Sequence, residues 1–163
     1  MKYSIDTSAL MDAWIRYYPP DIMPDLWDKF GEMIDDCNMI ATEEVFVEID
    51  KQEDDLSEWV KQNKKMFLPI DEDVQLAVKN ILNRFPKLIN VKRSKSMADP
   101  FVIALALVKN AKVVTGEKAQ HSADISLSKT NKVKIPDVCR VLGIQCLDIV
   151  GLCRDRGWIF HIR

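Results

Sequence analysis

Acids stand at the ends of the most apolar stretches of this sequence. In S-M-A-D-P-F-V-I-A-L-A-L-V-K-N-A-K-V-V-T-G-E-K, residues 96–118, Asp99 opens an almost wholly apolar run and Glu117 closes the segment. The run reads as a buried helix and K-V-V-T as a short strand, so both carboxylates come to one end of a core. Asp6 follows another short apolar strand, Tyr3-Ser4-Ile5, and Glu43, Glu44 and Glu48 stand on the helix after Thr42. Carboxylates gathered against apolar structure are costly unless a cation sits among them. Two of them ~5 Å apart repel by roughly 3 kcal/mol at an effective dielectric of about 20. Mg²⁺ or Mn²⁺ removes that penalty and prefers oxygen ligands. Such an ion lowers the pKa of a bound water and neutralises charge developing on a phosphate. The chemistry these residues suit is metal-dependent hydrolysis.

Taken singly, each acid has an ordinary explanation. Asp6 before a helix and Asp99 before Pro100 are both good helix caps. Glu117 alone reads as a solvated loop acid and Glu48 as a surface helix acid. On the helix after Thr42, the apolar stripe centres on Val45, Phe46 and Ile49. At about 100° per residue, Glu48 lies roughly 100° from that centre and Glu44 about 140° away. Glu48 is better placed than Glu44 to reach from the core edge, and Glu43, flanking the other side, is not excluded. The common register of the acids is what points to a site.

The elements that must hold these acids alternate between strand and helix. Helices are expected after Thr7 or Ser8, over Asp25–Asp36, after Thr42, over Asp54–Lys65 and Asp71–Arg84, from Pro100, from Ile135 to Gly143, and over Val150–Arg156. Strands are expected at Tyr3–Ile5, Asn38–Ala41, Lys112–Thr115 and Ile144–Leu147. Residues 84–95 form a basic connection, and 116–134 read as a loop. This alternation implies a three-layer α/β/α sandwich with a central, mostly parallel sheet. In such sheets ligands lie beyond the carboxyl ends of the strands, where Asp6 and Glu117 stand.

The 163 residues suit a single domain over 1–163 with a sizeable core. No apolar run approaches a membrane span, and the start M-K-Y-S-I-D-T-S-A-L lacks a secretory pattern, so a cytoplasmic protein with no membrane partner is expected. The net charge of -2 hides a split: residues 1–91 carry 19 acids and 10 bases, residues 92–163 carry 6 acids and 13 bases. That asymmetry suggests an acidic centre beside a basic rim. The four cysteines, Cys37, Cys139, Cys146 and Cys153, form no C-x-x-C and read as isolated buried thiols. With only His121 and His161, two-histidine zinc schemes and Ser–His–Asp catalysis are disfavoured.

Four motifs then coincide. S-I-D-T-S-A-L, T-E-E-V-F-V-E-I, A-D-P-F-V-I-A-L-A and V-V-T-G-E resemble, in order and spacing, the acidic motifs of PIN-domain nucleases. The likeness spans most of the chain. It is nearest to a poorly characterised PIN-like group carrying a segment similar to K-I-P-D-V-C, whose relatives include VapC-type toxins. The resemblance implies a metal-binding and catalytic quartet of Asp6, Glu48, Asp99 and Glu117; Asp137 could add a ligand, but as an acid in the first turn after Pro136 it reads better as a helix-start residue. It implies Thr7, Ser8 and Thr115 as groups that orient the carboxylates. Two departures stand out: Glu117 replaces a frequent Asp, and Ser8 a frequent Asn. The implied cofactor is one or two Mg²⁺ or Mn²⁺ ions.

The implied activity is endoribonuclease cleavage of RNA, with the chain as toxin of a toxin–antitoxin pair. Its expected partners are RNA, an antitoxin protein and a second copy of the chain; the apolar helices around Trp14, Trp27 and Trp59 suit a dimer face or the core equally. The same resemblance accommodates a nuclease of RNA maturation or structured DNA, or a catalytically silent RNA- or partner-binding module. Lys92, Arg93 and Lys95 before Asp99, and Lys118, Lys129, Lys132 and Lys134 after Glu117, are the candidates for contact with a nucleic-acid backbone.

Overall fold

Five short parallel strands run through the centre of the molecule in the order β3-β2-β1-β4-β5. The structure is a computed structural model that describes residues 1–89, 97–120 and 133–161. The strands are β1 (Tyr3–Ile5), β2 (Met39–Thr42), β3 (Phe67–Leu68), β4 (Lys112–Val114) and β5 (Cys146–Leu147). Ser4 stands beside Ile40 on one side and Val113 on the other. Both β1 and β2 are buried along their whole length, Ser4 and Thr42 included, as strands covered on both faces are. The sheet is wholly parallel among the described residues, where the sequence implied only a mostly parallel one. β3 was not expected from the sequence. Two residues followed by Pro69 are too few to show a period.

The connecting helices are α1 (Thr7–Asp12), α2 (Pro24–Asp35), α3 (Glu43–Asp50), α4 (Asp55–Gln62), α5 (Glu72–Arg84), α6 (Asp99–Lys109), α7 (Ile135–Leu142) and α8 (Ile149–Asp155). Local chemistry explains their starts. Asp54 accepts from the Ser57 N–H at 3.0 Å, Asp71 from Val74 at 2.9 Å and Asp148 from Gly151 at 2.7 Å. α2 begins with Pro24 and buries Leu26, Trp27, Phe30, Met33 and Ile34, a stripe at helical spacing. α1 is shorter than its apolar pattern implied, passing at Ala13 into a π-helical turn that ends at Tyr17.

α6 is the central helix. Val102 to Ala106 are all buried, and each large aliphatic side chain among them contributes about 1.5–3 kcal/mol on burial. It packs on the sheet face that carries Ser4, whose hydroxyl donates to the Val102 carbonyl at 2.9 Å. Tyr3 lies on the opposite face and donates to Asp155 of α8 at 2.6 Å. The sheet is therefore covered on both faces. α6 ends at Asn110, in the left-handed region at φ 50°, and the chain turns directly into β4.

Three indole rings pack on one another. Trp14 and Trp27 lie 4.6 Å apart, and Trp27 and Trp59 5.0 Å apart. The aromatic helices proposed as a dimer face thus join their rings within the chain. Cys37 departs from expectation by being exposed, at a left-handed turn with φ 55°. Cys139 is buried within hydrogen-bonding reach of Cys146, and that contact, with burial, pushes its thiol pKa up. These two thiols are not isolated. Among the described residues no helix is long and apolar enough to cross a membrane.

Candidate active site

The strand order reverses at β1, which lies between β2 and β4. The crevice beyond the carboxyl ends of β1 and β4 is the place where this architecture binds ligands. Asp6 follows β1 directly, and its backbone N–H still bonds to the Val114 carbonyl at 2.8 Å. Asp6 stands at the N-cap position of α1, yet its side chain makes no capping bond. One oxygen, Oδ2, accepts instead from Ser8 at 2.5 Å and from Thr115 at 2.9 Å. Burial pushes the Asp6 pKa up to about 6, against the two hydroxyls, with Glu117 and Glu48 adding like charge.

Asp99 follows the same logic more strongly. It is the first residue of α6, Pro100 is the second, and Ala98 occupies the cap position without a side-chain bond. The sequence placed Pro100 first and Asp99 as the cap, so the helix starts one residue earlier. The Asp99 carboxyl is 6% exposed. Among the described residues no hydrogen bond reaches it. Burial, then the charges of Asp6, Glu117 and Glu48, push its pKa up to about 9, with Lys134 opposing them.

The other two acids are held by donors. Glu48 accepts from the Thr7 hydroxyl at 2.6 Å and the Ala98 N–H at 3.2 Å. Glu43 is exposed, so Glu48 is the acid of α3 that turns inward. Glu117 accepts from Lys134 Nζ at 2.5 Å and from the Ile135 N–H at 3.0 Å. Asp137 is wholly buried. Its oxygens accept from the Gln120 N–H at 3.1 Å and the Lys134 N–H at 3.1 Å, which ties 120 to the start of α7. Asp137 thus behaves as the first-turn acid of a helix.

The acids are electrostatic neighbours but not one ligand shell. Among the described residues, no group of three or more His, Cys, Asp or Glu is drawn together tightly enough to hold an ion. Mutual repulsion and the donors on Glu48 and Glu117 account for the spread. Two features still fit an oxygen-seeking cation. The donors are carboxylates and hydroxyls only. Thr42 Oγ1, at the end of β2, is also buried with no hydrogen-bond partner among the described residues. Asp6 and Thr42 are both extended, at φ -91°. Continuing the pairing of Ser4 with Ile40 by two residues sets Thr42 beside Asp6.

Several of these groups escaped sequence reasoning. Thr42 read as a helix cap, but its hydroxyl makes no capping bond. The Ala98 and Ile135 N–H groups carry no side-chain signal at all. Gly116 does carry one, standing between Thr115 and Glu117. A Cβ there would lie 2.5 Å from Asp12 Oδ2 and 3.1 Å from the Ser8 carbonyl oxygen, so glycine lets this turn lie against α1. The Gly116 N–H donates to Ser8 Oγ at 2.9 Å, and the Glu117 N–H to Thr115 Oγ1 at 3.1 Å.

A cleft of about 310 Å³ opens beside Glu117, lined by Thr115, Lys118, Pro136 and Asp148 among others. Lys118 is exposed at its mouth, 3.9 Å from Asp148. Lys134 does not face solvent as a backbone-tracking lysine would, since its ammonium lies on Glu117. Lys92, Arg93, Lys95, Lys129, Lys132 and His121 lie outside the described residues.

Comparison with known proteins bears on the fold and the family. The fold is similar to a chain in the crystal structure of VapBC2 from Rickettsia felis bound to a DNA fragment from their promoter, with a TM-score of 0.53. The match covers 91% of this chain and 98% of that one at 12% sequence identity, so it carries the fold alone. No curated protein matches the chain in sequence. A family described as a domain of unknown function, DUF4411, matches residues 3–160. Spanning nearly the whole chain, that match makes this protein a member of the DUF4411 family.

Proposed function

We propose that this protein is a divalent-metal-dependent endoribonuclease and the toxin of a toxin–antitoxin pair. One observation carries the reading. Asp6 and Asp99 stand at helix starts yet spend neither carboxyl on a cap, and the charges of Glu48 and Glu117 bear on both. Buried acids left this way cost stability unless function uses them. The PIN-like order of the four acidic motifs supports the nuclease class. The likeness in fold to a chain of the VapBC2 complex supports the toxin setting and an antitoxin partner.

In this reading Asp6, Glu48, Asp99 and Glu117 hold one or two Mg²⁺ or Mn²⁺ ions. Asp137 is left out because its oxygens serve backbone N–H groups. When bound, the ion supplies the positive charge that activates water and screens the phosphate. Ser8 and Thr115 fix Asp6 through Oδ2 and leave Oδ1 for a ligand. Thr7 orients Glu48 in the same way. Burial and the neighbouring acids disfavour the charged form of Asp99, and a cation would reverse that. Lys118, at the cleft mouth, meets the RNA backbone.

The test is cleavage of RNA by the purified chain with Mg²⁺ or Mn²⁺. Products with a 5′-phosphate and a 3′-hydroxyl are expected, with loss of cleavage in Asp6→Asn and Asp99→Asn. No cleavage by the wild type, or equal cleavage by both variants, would sink the nuclease. Growth arrest on expression, absent for Asp99→Asn, tests the toxin setting.

A further inference from the structure

Among the described residues, Glu117 is the member of the quartet that is paired with a lysine. Lys134 Nζ lies 2.5 Å from Glu117 Oε1, and the Ile135 N–H takes Oε2 at 3.0 Å, so both oxygens are occupied. Asp99, by contrast, receives no hydrogen bond among the described residues. The pair is largely shielded, with side-chain exposures of 23% for Lys134 and 13% for Glu117. An incoming cation thus meets Asp6 and Asp99 each with an oxygen that accepts no hydrogen bond among the described residues, Glu48 held by a neutral hydroxyl and an N–H, and Glu117 held by a full opposite charge.

The backbone of Lys134 is held by Asp137, whereas its side chain is held by a single ion pair, that with Glu117. Its N–H donates to Asp137 Oδ2 at 3.1 Å, and its carbonyl accepts from the Asp137 N–H at 3.1 Å. The pivot of the side chain is therefore fixed at the start of α7. The four-carbon stem carries a compact ammonium with three donors, which can exchange one oxyanion for another without moving the helix. Its charge also reaches Asp99, where it opposes the burial and like-charge effects. Glu117, which holds that ammonium, lines the cleft whose mouth carries Lys118, the side from which the proposed function brings a phosphodiester.

We propose that Lys134 is the exchangeable counter-ion of the acidic quartet: it holds Glu117 while no metal is bound, yields that carboxylate to a divalent cation, and then donates to the phosphodiester. This rests on the nuclease reading and adds an order of events. Metal binding and RNA binding become coupled, because the first releases the group that the second uses.

The test is calorimetric titration of Mn²⁺ into the full chain and its Lys134→Met variant. The variant should bind Mn²⁺ about tenfold more tightly, because no ammonium competes for Glu117. Lys134→Arg, which keeps the charge, should stay near the wild type. An oligoribonucleotide should bind Lys134→Met more weakly than the wild type in Ca²⁺, and equally well without metal. Unchanged or weaker Mn²⁺ affinity in Lys134→Met overturns the proposal, and unchanged RNA affinity in Ca²⁺ overturns its second step. If the wild type binds Mn²⁺ and cleaves RNA while Lys134→Met binds Mn²⁺ equally, this inference alone falls. If the wild type binds no Mn²⁺, the nuclease reading falls with it. Lys134→Gln replaces Lys134→Met should thermal denaturation show the latter unfolded.

Discussion

Two helices of this molecule begin with an aspartate beside a proline, and the two aspartates have opposite fates. At the start of α7, Asp137 follows Pro136, and its oxygens accept N–H groups from Gln120 and Lys134. At the start of α6, Asp99 precedes Pro100 and accepts nothing among the described residues. Both are buried, Asp137 wholly and Asp99 to within 6%. The difference is in the donors around them. A buried carboxyl with backbone donors stabilises the fold, whereas one facing three other acids works against it. The start of α7 is therefore satisfied within the fold, and under the proposed function the start of α6 is kept for a ligand.

Exchanging the roles gives the sharpest break of that comparison. Asp99→Asn should lower metal-dependent RNA cleavage by roughly 100-fold or more, read as kcat/KM, without loss of fold. Asp137→Ala should do the reverse. It removes the acceptor shared by the Gln120 and Lys134 N–H groups and leaves a gap at a buried position, and should cost about 1–2 kcal/mol in urea denaturation, with metal present or absent.

A smaller effect separates them by pH. Burial, with the neighbouring acids, pushes the Asp6 carboxyl up to about 6 and the Asp99 carboxyl up to about 9, against the ordinary 3.8 of an aspartate. The native state then binds more protons than the unfolded one, so these groups make stability fall as pH rises. The Asp6 contribution is lost between about 4 and 6, and the Asp99 contribution continues to fall until about 9. The thermal midpoint of the metal-free protein should drop over that range, and Asp99→Asn should flatten the upper part. A metal-free midpoint that rises from pH 6 to 9 would contradict the burial of an unpaired Asp99.

The smallest expected effect concerns Thr42. Replacing its unpartnered hydroxyl by a methyl, in Thr42→Val, should stabilise the metal-free protein by up to about 1 kcal/mol. The same change should weaken Mn²⁺ binding if that hydroxyl serves the ligand set. Stabilisation with unchanged Mn²⁺ affinity would return Thr42 to a purely structural role.

Much of the framework was legible because its signals are local. Asp71 caps the Val74 N–H three residues on, and the buried stripe of α2 repeats at helical spacing. The four acidic motifs, their order and their attachment to strand ends are likewise visible in the linear chain. β3 was not, because two residues carry no period. The π-helical turn after α1 was not, because Trp14 and Ile15 continue an apolar pattern that suits either helix.

The sequence by itself determined an alternating α/β chain with acids at the ends of buried segments, because periodicity and capping act over a few residues. Only the tertiary structure decided which of those acids are satisfied. The bond from Thr115 to Asp6 spans 109 residues, and that from Thr7 to Glu48 spans 41. Donors at such separations arrive through the stacking of strands and helices, to which no local pattern is sensitive. The same packing gave Glu117 its lysine and left Asp99 without a donor among the described residues. It thereby gave four similar carboxylates different partners.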